Sequence, residues 1–354
     1  MTLIIKTFTA EELKNCLHMI DDYDIDIYHT VEWLLLNKDL EKGEIHCILI
    51  ELGLNKAFFP LLKRQIKNTN YFDLITPYGY GGVAFNKLAE HNFKKDIIQT
   101  LKSYLKTTNC ISVFLRLHPI LNFNTINKMD LQDNGTTLVI NLNQPYHSIY
   151  SSYASGHKYD LKKSKKNNDI VIIEDKNFDY FDNFIDIYHE TMKYLEAKEF
   201  YYFSKQYFYD MKSYLKDKLK LIIVKHGSEV IGASLFMIEN NIIQYHLSGT
   251  TIQGRKFQPS KLILDYMIQW GSEHQYKWLH LGGGVGGSND SLYRFKKGFS
   301  ADEYPFFTVR LITNDTVYSQ LCINCGYLEE EISKINDFFP LYRKTKTQEK
   351  EKND

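Results

Sequence analysis

The chain has 354 residues, with Lys+Arg and Asp+Glu both at 43 and a formal net charge of +0. That length accommodates two domains with cores of their own, and the neutral balance leaves any nucleic-acid or membrane binding to local patches. The amino-terminal MTLIIKTFTAEELKNC has no basic start before an apolar core, and no run approaches the roughly 18 apolar residues that cross a bilayer, so a cytoplasmic protein without an integral span is expected.

In chain order, the pattern predicts a helix over 10–20, then the segment DIDIYHTVEWLLL, strands over 45–50 and 56–60, and a loop over 73–82. A helix over 86–106, an apolar β-branched strand over 111–117 and a strand over 136–142 complete a mixed α/β half. Asn143-Gln144-Pro145 reads as the linker. A basic helix over 148–167, a strand over 170–174 and helices over 178–195 and 204–217 open the second half. Strands over 219–225, 230–238 and 242–247 follow, joined by turns at Gly227-Ser228 and Glu239-Asn240-Asn241. A helix over 259–273 then delivers the chain to a strand over 278–281, an α+β order rather than a regular βαβ alternation. The tail KTKTQEKEKND is charged and without apolar residues, so disorder is expected over 344–354.

The stretch WLHLGGGVGGSNDSLYRFKKGFS, 278–300, is the most informative. A short buried strand runs into Gly282-Gly283-Gly284 and Gly286-Gly287, and Asp290-Ser291 start a basic helical turn with Arg294, Lys296 and Lys297. Glycine costs backbone entropy on folding, so five between a strand and a cationic helix suit close approach of a ligand to the backbone. A mobile surface loop is the plain alternative. The five cysteines, an odd number, fit reduced thiols. Cys322 and Cys325 have CxxC spacing, yet neither a second CxxC nor an HxxxH completes a tetrahedral site, and no metal is expected.

Several blocks together carry a family likeness. They are Ile27-Tyr28-His29 before Trp33, the loop Thr76-Pro77-Tyr78-Gly79-Tyr80-Gly81-Gly82, Phe114-Leu115-Arg116-Leu117-His118-Pro119, and Met192 with Ala197 before Tyr201-Tyr202-Phe203. Leu247-Ser248-Gly249-Thr250, Pro259-Ser260, Leu281-Gly282-Gly283-Gly284 and Phe295-Lys296-Lys297-Gly298-Phe299 continue the series. In this order and spacing the chain resembles two-domain GNAT-superfamily proteins of the FemAB branch, the peptidoglycan aminoacyltransferases and related acyltransferases associated with cell-envelope sugars. The resemblance implies an α+β fold of tandem GNAT-like domains, each a mixed, largely antiparallel sheet flanked by helices, expected at 1–145 and 146–343. It implies an acyltransferase in which an amine attacks an activated carbonyl directly. The tetrahedral oxyanion then needs aimed donors and a dry cleft rather than an enzyme nucleophile, and no Ser/His/Asp or Cys/His arrangement is evident.

Lys296 resembles the lysine of the family's Phe-Lys block, which is credited with stabilising negative charge near the reacting carbonyl or the substrate phosphate; a solvated helix lysine is its other reading. Arg294 suits a phosphate or, equally, a surface carboxylate such as Asp290. His280 could meet substrate, although a strand histidine is more often a satisfied core residue. Arg116 and His118, as Arg-x-His, share one side of a strand end that could reach a cleft. Tyr78, Tyr80 and Gly81 offer aromatic faces and bare backbone for a sugar, base or phosphate, or else form a tight turn with two core tyrosines. Lys158, in the basic segment 157–166, is a phosphate candidate or part of a solvated face, and Ser248, Gly282, Gly283 and Gly284 complete the expected substrate set.

For the donor, acyl-CoA or aminoacyl-tRNA is expected, with Arg255, Lys256 and Ser260 as contacts. The loop 251–260 lacks the Q/R-x-x-G-x-G/A pattern of a standard CoA site, and no long heptad insertion of the kind associated with tRNA handling is present. The acceptor is expected to be the amine of a nucleotide- or lipid-linked amino sugar or a similar precursor. A non-catalytic sugar-nucleotide-binding protein on the same scaffold is the alternative.

Overall fold

The computed structural model describes residues 2–15, 22–299, 302–332 and 338–344, and the chain divides into two units, one of 1–134 with 306–354 and one of 135–305. The first unit opens with β1 (Leu3–Phe8), α1 (Ala10–Asn15), α2 (Val31–Asn37), β2 (Glu44–Ile45), β3 (Cys47–Leu52) and β4 (Asn55–Phe59). It continues through β5 (Leu62–Gln65), β6 (Phe72–Ile75), β7 (Ala84–Phe85), α3 (His91–Leu105) and β8 (Cys110–Arg116). Strands β1, β3, β4 and β7 form an antiparallel sheet in the order β1-β3-β4-β7. Strands β2, β5, β6 and β8 pair in turn, β6 and β8 in parallel. Ile97, Ile98, Leu101 and Leu105 recur at helical spacing and lay one face of α3 on a core with Ile48, Phe59 and Val113.

Two local expectations change. Residues 73–75, expected in a loop, are the buried end of β6. The helix expected from residue 86 starts at His91, because the Asn86 side chain accepts from Lys56 N (2.9 Å) and donates to Leu54 O (2.9 Å), which ties it to the β-hairpin ahead of it. The part of the expected first helix beyond Asn15, residues 16–20, lies outside the described residues.

The second unit holds β9 (Gln132–Asn141), α4 (Tyr146–Ser151), α5 (Ser155–Lys165), β10 (Ile170–Glu174), α6 (Phe181–Tyr194), α7 (Lys205–Leu215) and β11 (Leu219–His226). It goes on through β12 (Glu229–Glu239), β13 (Ile242–Thr250), α8 (Pro259–Glu273), β14 (Trp278–Gly282) and α9 (Ser291–Lys297). Strands β10 to β13 are antiparallel neighbours, their hairpins turned by Gly227 (φ 59°) and Asn240 (φ 49°). Helix α8 crosses over so that β14 pairs in parallel with β13, and β9 lies antiparallel on the other side of β14. Leu262, Ile263, Met267 and Ile268 of α8 close the core over Ile140, Phe236, Ile243 and Leu279. The single helix expected over 148–167 is broken into α4 and α5 at Ala154, whose N–H leaves the helical ladder for Gly298 O at 2.9 Å.

The chain then runs through β15 (Glu303–Ile312), α10 (Asp315–Asn324) and α11 (Glu329–Ile332). Residues from 306 onward belong with the first unit, not with the second as the expected division at 145 and 343 had it. β15 pairs antiparallel with β8, Thr308–Ile312 against Ser112–Arg116. The buried carboxylate of Asp73 supplies the other tie, taking Arg64 Nε at 2.7 Å, Arg343 Nε at 2.7 Å and the Tyr342 hydroxyl at 3.1 Å. Cys322, in α10, is buried, and Cys325 donates its thiol to Tyr342 O at 3.2 Å. Apart from Lys344 the expected tail lies outside the described residues. Among the described residues no helix is long and apolar enough to cross a membrane. The α+β class is the one expected.

Asp73→Ala should therefore destabilise the protein by about 3–5 kcal/mol, since it strands two guanidinium groups beside a buried hydroxyl. Urea unfolding measures this. A loss under about 1 kcal/mol would show that the carboxylate does not hold the carboxy-terminal segment in place.

Candidate active site

The second unit contains an opening that its own strand register creates. β13 and β14 pair over Ile242–Gln244 and Trp278–His280. Past that point β13 continues over 245–250, while β14 turns away at Gly282 (φ 71°) into the glycine run. On the other side of β13 the register with β12 slips between Leu235 and Phe236, whose partners are Leu247 and Tyr245, so His246 is the extra residue of a bulge. Bulges re-aim side chains and free backbone groups, and this one sits where β13 and β14 part.

Hydroxyl groups follow from the bulge toward the start of α8. Ser234 Oγ donates to Ser248 Oγ at 2.8 Å, and Tyr245 bonds to both serines. Thr250 Oγ1 and Ser260 Oγ lie 3.0 Å apart. Burial pushes the His246 imidazole down to about 3, so it is neutral at physiological pH.

The other lip, the glycine run after β14, leads into α9. Asp290 caps this helix, its Oδ1 accepting from Tyr293 N at 2.8 Å. Three residues on, Lys296 is buried, 8 % exposed, and its Nζ donates to Gly283 O at 2.8 Å. Burial lowers the ammonium to about 8, with Asp290 acting in the opposite direction. The lysine and the glycine loop thus meet at one carbonyl.

The glycines themselves have backbone reasons to be there. A Cβ on Gly283 would come within 2.7 Å of Thr136 O. One on Gly284 would meet Asp290 Oδ1 at 2.6 Å, and Gly286 and Gly287 have φ of 63° and 81°. Close passage of the loop against β9 and against its own helix cap accounts for much of what reads, in sequence, as room for a ligand.

The other candidates have local partners of their own. His280 is fully buried and donates from Nδ1 to Gln244 Oε1 at 2.7 Å, which makes it a core residue rather than a substrate contact. Arg294 is exposed and donates to Asn289 O at 3.0 Å. Arg255 lies over the Tyr194 ring, 3.3 Å from its centroid, and Lys256 is exposed beside Phe257. Lys158 donates to Ser151 O at 3.0 Å.

In the first unit the expectation that Arg116 and His118 emerge toward a cleft is corrected. Arg116 donates to Thr76 O (2.8 Å) and pairs with Glu41 (3.7 Å). His118 is fully buried, its Nδ1 accepting from Ile120 N and Leu121 N, so the proton sits on Nε2 and is donated to Asp26 Oδ2 at 2.9 Å. Tyr78 O accepts from Trp33 Nε1 at 2.8 Å, and Tyr80 packs edge-on against Tyr28 and Phe306. Gly81 is buried in the same loop, between Gly79 (φ 105°) and Gly82 (φ 79°). These residues sit in a glycine turn anchored within the first unit, with Tyr78 and Tyr80 half-buried.

His246, Tyr245 and Asp290 were not among the sequence candidates. Only Asp290 left a signal, as an N-cap residue three positions before Tyr293; a bulge has no signature in a single strand pattern. Among the described residues no group of three or more His, Cys, Asp or Glu could hold a metal ion.

Residues 217–304 match the FemAB family, a span that contains both lips of the opening. No curated protein matches the chain. Among solved structures the chain is similar to FemX, at 12% identity with a TM-score of 0.63, covering 90% of this chain and 99% of that one. It is also similar to a conserved protein of unknown function from Bacteroides thetaiotaomicron VPI-5482, at 9% identity and TM-score 0.52, over 88% and 100% of the two chains.

The lowered value of Lys296 makes a stability prediction with a definite sign. Its value falls from 10.5 in the open chain to about 8 in the folded protein, so between these limits the unfolded state binds more protons and stability rises with pH. Lys296→Met should be more stable than the native chain by about 2 kcal/mol at pH 7, with the gain shrinking above pH 8 and gone by about pH 9.5. Thermal melts across that range test it, and a gain that stays constant with pH would mean the ammonium is not desolvated.

Proposed function

We propose that this chain, a FemAB-like acyltransferase, moves an acetyl or aminoacyl group from an activated carbonyl to the amine of a nucleotide- or lipid-linked cell-envelope sugar or precursor. One observation carries the reading: a buried ammonium, Lys296, stands on the glycine lip of an opening between two parting parallel strands. An ammonium held out of water is a strong stabiliser of an oxyanion, and no charge has to be brought to it at the moment of reaction.

In this mechanism the acceptor amine attacks the carbonyl carbon, the C–N bond forms and the carbonyl electrons move onto oxygen beside Lys296. Collapse of the tetrahedral species breaks the C–S bond of a thioester or the C–O bond of an aminoacyl ester. The proton lost by the attacking nitrogen leaves with the thiolate or the ribose oxygen. Lys296 donates hydrogen bonds throughout and need not give up its own proton.

The donor end favours the aminoacyl ester. The amides that would cradle a pyrophosphate are already engaged: Gly254 N with Thr251 O (3.1 Å), Gln258 N with Arg255 O (3.1 Å), and Lys261 N and Leu262 N with Gln258 O (3.0 and 3.3 Å). Arg255, expected as a donor contact, is stacked on Tyr194. The hydroxyls of Ser248, Thr250 and Ser260 suit a polar, uncharged portion of the donor. The buried charge also weighs against a purely binding protein, which would gain stability by replacing Lys296 with an apolar residue.

Incubating the purified protein with an amino-sugar nucleotide and either radiolabelled acetyl-CoA or tRNA charged with labelled amino acids tests the reading, and label reaching the amine is expected with the charged tRNA. Lys296→Ala should lower turnover by ~2–4 kcal/mol in transition-state free energy, with the fold intact. The native rate should decline as pH rises through about 8, where the ammonium is lost. A folded alanine variant with native turnover would remove Lys296 from the reaction.

A further inference from the structure

We infer that His157 is a positioning residue for Lys296, fixing the last turn of α9 through a hydrogen bond to the Phe295 carbonyl. The inference rests on the proposed reading only for its consequence in catalysis; the contact itself is a property of the fold. His157 belongs to the basic segment at the start of α5, yet its side chain is buried, 9 % exposed, and points away from the lysines that surround it in sequence. Its Nε2 donates to Phe295 O at 2.9 Å.

Three further features make this a built contact. The ring stands edge-on to Phe299 at 4.5 Å between centroids and lies 5.8 Å from Phe295. It occupies the space where Gly298 lacks a side chain, since a Cβ there would collide with the imidazole. Beside it, Ala154 N donates to Gly298 O at 2.9 Å, so both the side chain and the backbone at the start of α5 serve carbonyls at the end of α9. Phe295 O also takes Gly298 N at 3.2 Å within the turn, but a helix of seven residues has little stability of its own, so the two bonds from α5 tie its last turn to a longer element.

The support is itself rigid. Helix α5 is pinned to α8 by Lys165 with the buried Asp265 at 2.6 Å, and to the turn ahead of α8 by Ser164 Oγ to Phe257 O at 2.8 Å. Phe295 immediately precedes Lys296, so a shift of the Phe295 carbonyl moves the lysine's Cα with it and pulls Nζ from Gly283 O.

The test needs no substrate. Trace acetic anhydride labels lysines in proportion to their free-base fraction, and mass spectrometry of the Lys296 peptide across pH 6–11 gives that lysine's titration midpoint. His157→Leu removes the donor and keeps bulk, whereas His157→Gln keeps an amide donor of similar reach. We expect the midpoint in His157→Leu to rise by about one unit toward the ordinary lysine range, as water reaches the group, and the α9 peptide to exchange its amide hydrogens about tenfold faster. His157→Gln should restore both toward native values. A folded His157→Leu with the native midpoint overturns the inference. So does a Gln variant that behaves like Leu, because packing rather than the hydrogen bond would then be responsible. If the Leu variant does not fold, the Gln variant alone decides, a native midpoint supporting the inference and a raised one overturning it. Native turnover in Lys296→Ala would refute the proposed role of the lysine and leave this labelling result standing.

Discussion

A lysine ammonium kept almost out of water, with its hydrogen bond directed at the Gly283 carbonyl, is the constraint around which the second unit is arranged. Burying a charge is among the costliest things a fold can do, and an unconstrained lysine would swing its flexible stem out to solvent. It stays because α9 is fixed at both ends, by the Asp290 cap at its start and by α5 at its finish. The glycine run gives the loop the close passage over Thr136 that keeps the accepting carbonyl in place. Charge burial, helix capping and glycine packing are three aspects of one arrangement.

The first unit follows a different logic. Its chemistry-bearing residues are spent on each other: the Asp26 carboxylate takes both the Ile27 amide and His118, while His29 Nδ1 accepts from Asp26 N at 3.1 Å. Burial pushes His29 down to about 4, which keeps it neutral and able to accept that bond. Arg116 and Trp33 hold the carbonyls of Thr76 and Tyr78. A loop with left-handed glycines and two aromatic side chains needs such anchoring, because it runs on past the end of β6.

The sequence made some of this legible and hid the rest for identifiable reasons. The helix over 259–273 was read to the residue because Pro259 marks its start and its apolar face is continuous. The hairpins from β11 to β13 were readable through Gly227 and Asn240. β15 was missed, and with it the return of the chain to the first unit, since the partner of a strand such as EYPFFTVRLI is set by tertiary pairing with no local mark. Lys296 and Gly283 stood out as candidates because a cationic turn after a glycine run is a local pattern. His246 was hidden because it is defined by a register slip against β12. Arg116 and His118 were misread for a related reason: alternation places a side chain on a face but does not say whether something already waits there.

Helix α5 then takes on a meaning its composition does not suggest. Its lysines invite a reading as a solvated or phosphate-binding face, and Lys162, Lys163 and Lys166 are indeed exposed. Its other face works as a strut: Asp160 and Lys165 reach Lys261 and Asp265 of α8, while His157 and the Ala154 amide reach the end of α9. Helix α8 carries Ser260 in its first turn, beside the hydroxyls of the β13 lip, and α9 carries the ammonium of the opposite lip. Two parallel strands that part from each other cannot by themselves fix the distance between the helices they lead into. A third element bonded to both helices can tie them, and α5 is bonded to both.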